Sequence, residues 1–227
     1  MRSLKTKVRK TKTKKIKSDL SQTEVKFISS ILIPLLFFLG SLYANYLAIT
    51  YATLGIGNST TDILLDNLPV INTDMIFSEG ALLLVISVII IFFRRPKTVP
   101  FALKSLGLLV YFRSVFITMT HLAPYPDRIM TDLSNFSFLS ADADLFFSGH
   151  TAVPFMLGLI YWQNKRLRLS YIIASVVAGI AVLLGHLHYS IDVFSAYFIA
   201  YGTYIIAQRL FKKDYKRLEQ SLLKEGK

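Results

Sequence analysis

Ala81-Leu82-Leu83-Leu84-Val85-Ile86-Ser87-Val88-Ile89-Ile90-Ile91-Phe92-Phe93 runs without a charge straight into Arg94-Arg95-Pro96-Lys97. This is the pattern of a membrane span that stops at a cytoplasmic surface. A spanning helix needs about 20 mainly apolar residues, and the short loops left inside collect Lys and Arg. Reading outward from this stretch, apolar runs of similar length recur and place six helices at about 26–49, 76–93, 100–121, 145–163, 168–187 and 190–210. Asn164-Lys165-Arg166-Leu167-Arg168 separates the fourth from the fifth, and a tight polar turn around Tyr189-Ser190 joins the fifth to the sixth. The expected fold class is therefore all-α, a polytopic membrane bundle of six transmembrane helices with both termini cytoplasmic. No internal repeat or linker divides it. Residues 1–25 read as a basic cytoplasmic arm, 26–210 as one transmembrane domain and 211–227 as a charged cytoplasmic tail, able to form a short helix.

The composition agrees: of 227 residues, 53% are hydrophobic, and the mean hydropathy is +0.48. The formal charge of +12 raises the question of nucleic acid, but its placement answers otherwise. Nine Lys and Arg crowd residues 1–17 with no acid before Asp19, which suits a topology signal and contact with anionic lipid head groups. Alternating the six spans puts every Lys and Arg except Arg113 and Arg128 at the cytoplasmic side, and no five- or seven-span reading does as well. The first apolar run, from Lys26 past Tyr43, outlasts a signal-peptide core of about 7–15 residues. Ala44-Asn45-Tyr46 makes no persuasive cleavage site, so the run reads as a retained span. The absence of cysteine excludes disulfides, thiolate metal sites and cysteine nucleophiles.

The same alternation carries the ionisable residues to one face. His121, His150, His186 and His188 all fall at the outer ends of spans, as do Glu79, Asp144 and Asp192. Asp62, Asp66, Asp74, Asp127, Asp132 and Asp142 fall in outer loops. Such groups are costly at a bilayer edge and mark function by default, so an active site on the extracytoplasmic face is expected.

Within this set, His188 and Asp192 are four residues apart, a spacing that puts them on one helical face. The carboxylate then orients one ring nitrogen and leaves the other as a nucleophile. Ser190 is placed to cap that helix. His150, preceded by the small residues Ser148 and Gly149, is the candidate general acid and later base, arriving from a neighbouring helix. Gly149 allows close backbone approach, and the N–H groups of a helix start there suit phosphate oxygens. His186, two residues from His188, faces elsewhere and reads as an interfacial or supporting residue. A metal site built from His150, His186, His188 and Asp192 is the competing reading, weakened by that same spacing. A serine nucleophile at Ser148 is weaker still, because Ser-Gly-His alone supplies neither base geometry nor an oxyanion hole. Asn58-Ser59-Thr60 and Asn135-Phe136-Ser137 are glycosylation triplets of a kind that arises often by chance.

These stretches resemble the type 2 phosphatidic acid phosphatase superfamily of lipid phosphatases and phosphotransferases, and within it the sphingomyelin synthase branch. The resemblance covers roughly residues 60–205. It is carried by Asp144-x3-Ser148-Gly149-His150-Thr151 and by His186-x-His188-Tyr189-Ser190-Ile191-Asp192-Val193 with Ala196-Tyr197. Tyr111-Phe112-Arg113, Ile117-Thr118-Met119 and Pro124-Tyr125-Pro126 resemble a third family segment, and Ser78-Glu79 a family glutamate. Val88 and Val182 stand where the phosphatase branch has a lysine and an arginine, which favours the synthase-like branch. Asp142-Ala143 replaces the usual Cys-Gly.

The resemblance implies a metal- and cofactor-independent enzyme acting on a phospholipid donor and a lipid acceptor. His188 attacks phosphorus, Asp192 orients it, and His150 protonates the departing oxygen, helped by Asp144 and Glu79. Arg113, whose burial in a span costs about 2.5–3.5 kcal/mol on insertion scales, is expected to clamp phosphate, with Ser148, Gly149 and Tyr189 as further substrate contacts. A lipid phosphate phosphatase is the alternative chemistry. A non-catalytic transporter or scaffold is the alternative class.

Overall fold

The computed structural model describes residues 29–126, 128 and 146–225. The basic arm lies outside the described residues, as do Asp127, Asp132, Asp142, Asp144 and the second glycosylation triplet.

Seven α-helices follow one another: α1 (Ser29–Leu54), α2 (Asp74–Arg94), α3 (Val99–Met119), α4 (Gly149–Ile160), α5 (Lys165–Leu184), α6 (Ser190–Leu210) and α7 (Lys212–Glu225). There is no strand among the described residues. Five helices are long and apolar enough to cross a bilayer: α1, α2, α3 with the 3-10 turn Pro96–Thr98 before it, α5 and α6. Their outward faces are hydrocarbon: Leu82, Leu83, Ile86 and Phe93 of α2, Ile173 and Ile180 of α5, and Phe194 and Phe198 of α6 are all exposed. Such a surface suits a lipid solvent.

The fourth helix departs from expectation. It has 12 residues, about 18 Å at 1.5 Å per residue, against a hydrocarbon core of about 30 Å. Its ends explain the shortfall. Ser148 leaves helical geometry at φ −59°, ψ 110°, and Tyr161 and Trp162 turn the chain toward Asn164, whose side chain caps α5 by accepting from Leu167 N–H at 3.1 Å. That cap also starts α5 three residues earlier than the sequence suggests. Short as it is, α4 is the centre of the bundle. Ala152, Met156 and Leu157 are fully buried, and Phe147 and Ser148 just before it are fully buried too. Non-helical backbone is tolerated at membrane depth where protein surrounds it.

Against α4 the sixth helix presents Ala196, Ala200, Thr203 and Ala207, small residues at helical spacing that let backbones approach closely. The charged tail folds back as α7, burying Leu218 and Leu222, and Lys104 of α3 pairs with Asp214 at 2.7 Å.

The ends at which the histidines lie are stitched together by the loops. Gly57 N–H donates to His121 C=O at 2.7 Å, and Ile71 N–H to Leu184 C=O at 2.8 Å. Thr73 Oγ1 donates to Ala181 C=O at 2.8 Å. Segment 55–73 thus spans the ends of α1, α3, α5 and α6.

Candidate active site

α5 ends in a turn that sets up everything after it. Leu187 N–H donates to Val182 C=O at 2.9 Å and His186 N–H to Leu183 C=O at 3.1 Å, the paired bonds of a Schellman motif. His186 takes the left-handed position, φ 52°. Glycine is needed one residue earlier for space, since a Cβ on Gly185 would stand 2.7 Å from Thr73 Oγ1. The reversal delivers His188 just ahead of α6.

Tyr189, not Ser190, is the N-cap residue of α6. Asp192 reaches back to accept from Tyr189 N–H at 3.0 Å, and the same oxygen, Oδ2, lies 3.5 Å from Nδ1 of His188. Asp192 is fully buried and His188 only 6% exposed. The carboxylate thus lies near Nδ1 without closing a hydrogen bond to it, and Nε2 is on the other edge of the imidazole. The cap expected from Ser190 is replaced from outside the motif. Ser190 N–H donates at 2.6 Å to Oδ2 of Asp62, whose Oδ1 accepts from Leu64 and Leu65 N–H. Sequence reasoning placed Asp62 in an outer loop and missed this role. A partner 128 positions away leaves no local signal.

α4 is joined to this turn through the main chain: Ser148 N–H donates to Asp192 C=O at 3.1 Å. Ser148 is fully buried and its Oγ accepts from Thr151 Oγ1 at 3.2 Å. His150 is thus the second residue of α4, and it lies within electrostatic reach of both His188 and Arg113. Its ring rests on Phe77, centroids 3.9 Å apart and planes tilted by 34°.

Arg113 comes from the last turns of α3. It is 8% exposed, and its Nε donates to Phe147 C=O at 2.8 Å. A terminal nitrogen reaches Asn45 Oδ1 of α1 at 3.4 Å. A Cβ on Gly149 would stand 3.5 Å from Arg113 Nε, so the guanidinium lies against the N-terminus of α4. A cation beside the free N–H groups of a helix start is a setting made for an anion. Asn45 had a legible signal, a polar side chain inside an apolar span, which by default marks function.

Two expected residues stand apart. Glu79 is exposed, and two residues along α2 from Phe77 it lies about 200° round the helix, away from the ring that touches His150. Tyr189 is buried with its hydroxyl engaged by the loops, donating to Ala123 C=O at 2.9 Å and accepting from Thr60 N–H at 3.2 Å. It braces the fold instead of facing a substrate. Asp144 lies outside the described residues. The other histidines pack elsewhere, His186 edge-on to Tyr125 at 5.1 Å and His121 beside Tyr51 at 5.5 Å. Among the described residues no three His, Asp or Glu side chains gather as a metal-ligand set.

His188, Asp192, His150 and the turn before α4 all fall in one segment of known type. Residues 143–209 match the family model "PAP2 superfamily C-terminal". The match is a likeness of that segment, 67 of the chain's 227 residues, to the PAP2 superfamily model. It covers α4 to α6 and ends before α7; Arg113 and Glu79 lie outside it. No curated protein and no solved structure matches the chain.

Proposed function

We propose that the protein is a membrane lipid phosphotransferase that moves a phosphoalcohol head group from a phospholipid to a lipid hydroxyl through a phosphohistidine. Nε2 of His188 attacks phosphorus, and the bond to the diacylglycerol oxygen breaks as protonated His150 gives that oxygen its proton. The acceptor hydroxyl then attacks phosphorus, loses its proton to the now neutral His150, and the P–N bond breaks. Asp192 holds the His188 tautomer and stabilises the ring as charge develops. Arg113 and the first N–H groups of α4 hold the phosphate oxygens. No step needs a metal. Glu79 and Tyr189 are left out of the reacting set for the reasons of position given above.

The observation that carries this reading is the Ser148 N–H to Asp192 C=O bond, which pins the start of α4, with His150, to the turn that holds His188 and Asp192.

In the membrane, α4 completes a sixth crossing inside the bundle, both termini are cytoplasmic, and the site faces outward. The distribution of Lys and Arg supports that orientation.

Purified protein given head-group-labelled phospholipid and a mixture of lipid acceptors tests the chemistry. The expected result is a new lipid carrying the label. Release of phosphate or phosphoalcohol with no new lipid would mean that water is the acceptor and the enzyme a phosphatase. His188→Ala is expected to abolish both outcomes, and His150→Ala to slow turnover by about 10²–10⁴-fold. Turnover unchanged by His188→Ala would overturn the enzyme reading.

A further inference from the structure

Between α2, α4 and α5 lies a cavity of about 450 Å³ with His150 in its wall. It exists because the side chains facing one another across it are small: Gly80 and Ala81 on α2, Ala174 and Ala178 on α5. Part-way along it the two walls are tied. Ser87 Oγ donates to Leu84 C=O at 2.7 Å, so the Tyr171 hydroxyl, 3.2 Å from Ser87 Oγ, is the donor of the bond that crosses the gap. Apart from His150, Ser87, Ser170 and Tyr171, the lining carries no polar side chain.

Its dimensions point to an occupant. From Phe77, which touches the His150 ring, to Ile91 the lining runs along fourteen residues of α2, about 21 Å of helix. That exceeds half of the ~30 Å hydrocarbon thickness, so it has room for the whole reach of one lipid chain whose head group stays at the surface. Only 6% of the apolar window of α2 is buried, so this wall separates the cavity from lipid, not from water. A cavity with His150 at one end, largely apolar along its length and deep enough for one leaflet's chain fits a hydrocarbon chain.

We propose that this cavity takes one acyl chain of the lipid whose head group reacts at His150 and His188. The part about the reacting head group rests on the phosphotransferase reading above; the chain site rests on the cavity. A chain leaving bulk lipid for an apolar slot gains little from burial, since both surroundings are hydrocarbon. What the slot supplies is position, fixing the phosphorus relative to the imidazoles before reaction.

Gly80→Phe is the direct test. No heavy atom lies within 4 Å of a Cβ placed on Gly80, so the ring enters the empty space without displacing backbone, and loss of a helix-interior glycine favours the helix. Leu82→Phe, on the exposed face of the same helix, is the control. Full-length protein in nanodiscs is irradiated with a phosphatidylcholine carrying a diazirine at the end of one chain, and the adducts are mapped by mass spectrometry. Adducts near Ser87 and Tyr171 are expected, lost in Gly80→Phe and kept in Leu82→Phe. Adducts confined to outward residues such as Leu82 and Phe93, or unchanged by Gly80→Phe, would overturn the proposal. In turnover assays, Gly80→Phe is expected to lower kcat/KM for a long-chain phospholipid about tenfold relative to its dihexanoyl counterpart. Wild-type protein that is labelled in the cavity but turns over neither lipid would refute the chemistry and leave the chain site standing. Protein that turns over both without discrimination in Gly80→Phe, its labelling unaltered, would do the reverse.

Discussion

Asp62 supports the turn that carries His188 from a distant loop. Its carboxylate accepts from Ser190 N–H at 2.6 Å, one residue from the cap whose N–H Asp192 binds. Burial raises the carboxyl pKa, but the hydrogen bonds from Ser190, Leu64 and Leu65 outweigh it and hold Asp62 below the ordinary carboxylate value. A depressed folded value means that the stabilisation is complete above the unfolded pKa, about 3.9, and drains away as pH falls through the folded one. Asp62→Asn is expected to cost about 1.5–3 kcal/mol at neutral pH, the range for hydrogen bonds to a charged group. It is also expected to flatten the loss of Tm below about pH 4. Thermal melts of both proteins in detergent across that range check it; parallel curves would contradict it. At this scale the reading from sequence is uneven for a physical reason. His188 and Asp192 are legible because their geometry is local, four residues on one face. Asp62, Asn45 and Phe77 are contacts across the chain, and periodicity says nothing about which distant residues meet.

At the scale of the element, the α5–α6 reversal decides more than either helix. His186 occupies the left-handed site of a Schellman motif, where a side chain other than glycine costs about 1–2 kcal/mol. His186→Gly is therefore expected to hold or raise Tm and to keep lipid turnover, and His186→Val, β-branched at φ 52°, to lower both. Turnover lost in His186→Gly with Tm unchanged would instead assign that imidazole a chemical role. The helices themselves were legible to different degrees. α6 begins and ends where its apolar run does, and α2 and α3 fall within two residues of theirs. α4 is shorter than its run because hydropathy reports where a chain is apolar, not where it is helical. Phe147 and Ser148 are fully buried and Phe146 partly so, yet none of the three is helical. A buried non-helical stretch and a buried helix look alike by composition.

Taken as a whole molecule, the bundle gathers helix ends that are far apart in sequence, and the loop 55–73 laces across them. The proposed orientation rests on the placement of charge and has a clean test, because the chain has no cysteine. Single cysteines at Ser59 and at Lys213 give each side one thiol. In intact cells or right-side-out vesicles, Ser59→Cys is expected to react with a membrane-impermeant maleimide, and Lys213→Cys only after permeabilisation. The opposite pattern would invert the topology and put the site in the cytoplasm. Five helices long and apolar enough to span were legible from the apolar runs and the basic breaks between them, while the central place of the short α4 was not, since nothing local ranks one apolar run as more buried than another.

Orthovanadate, which takes up the five-coordinate geometry of phosphoryl transfer, tests the arrangement of the two imidazoles directly. An experimental structure of the vanadate complex is expected to show vanadium bonded to Nε2 of His188. Its opposite apical oxygen should lie within hydrogen-bond reach of His150, and its equatorial oxygens should be held by Arg113 and the N–H groups at the start of α4. Vanadate bound away from His188, or bound there with the His150 ring out of reach, would contradict the account.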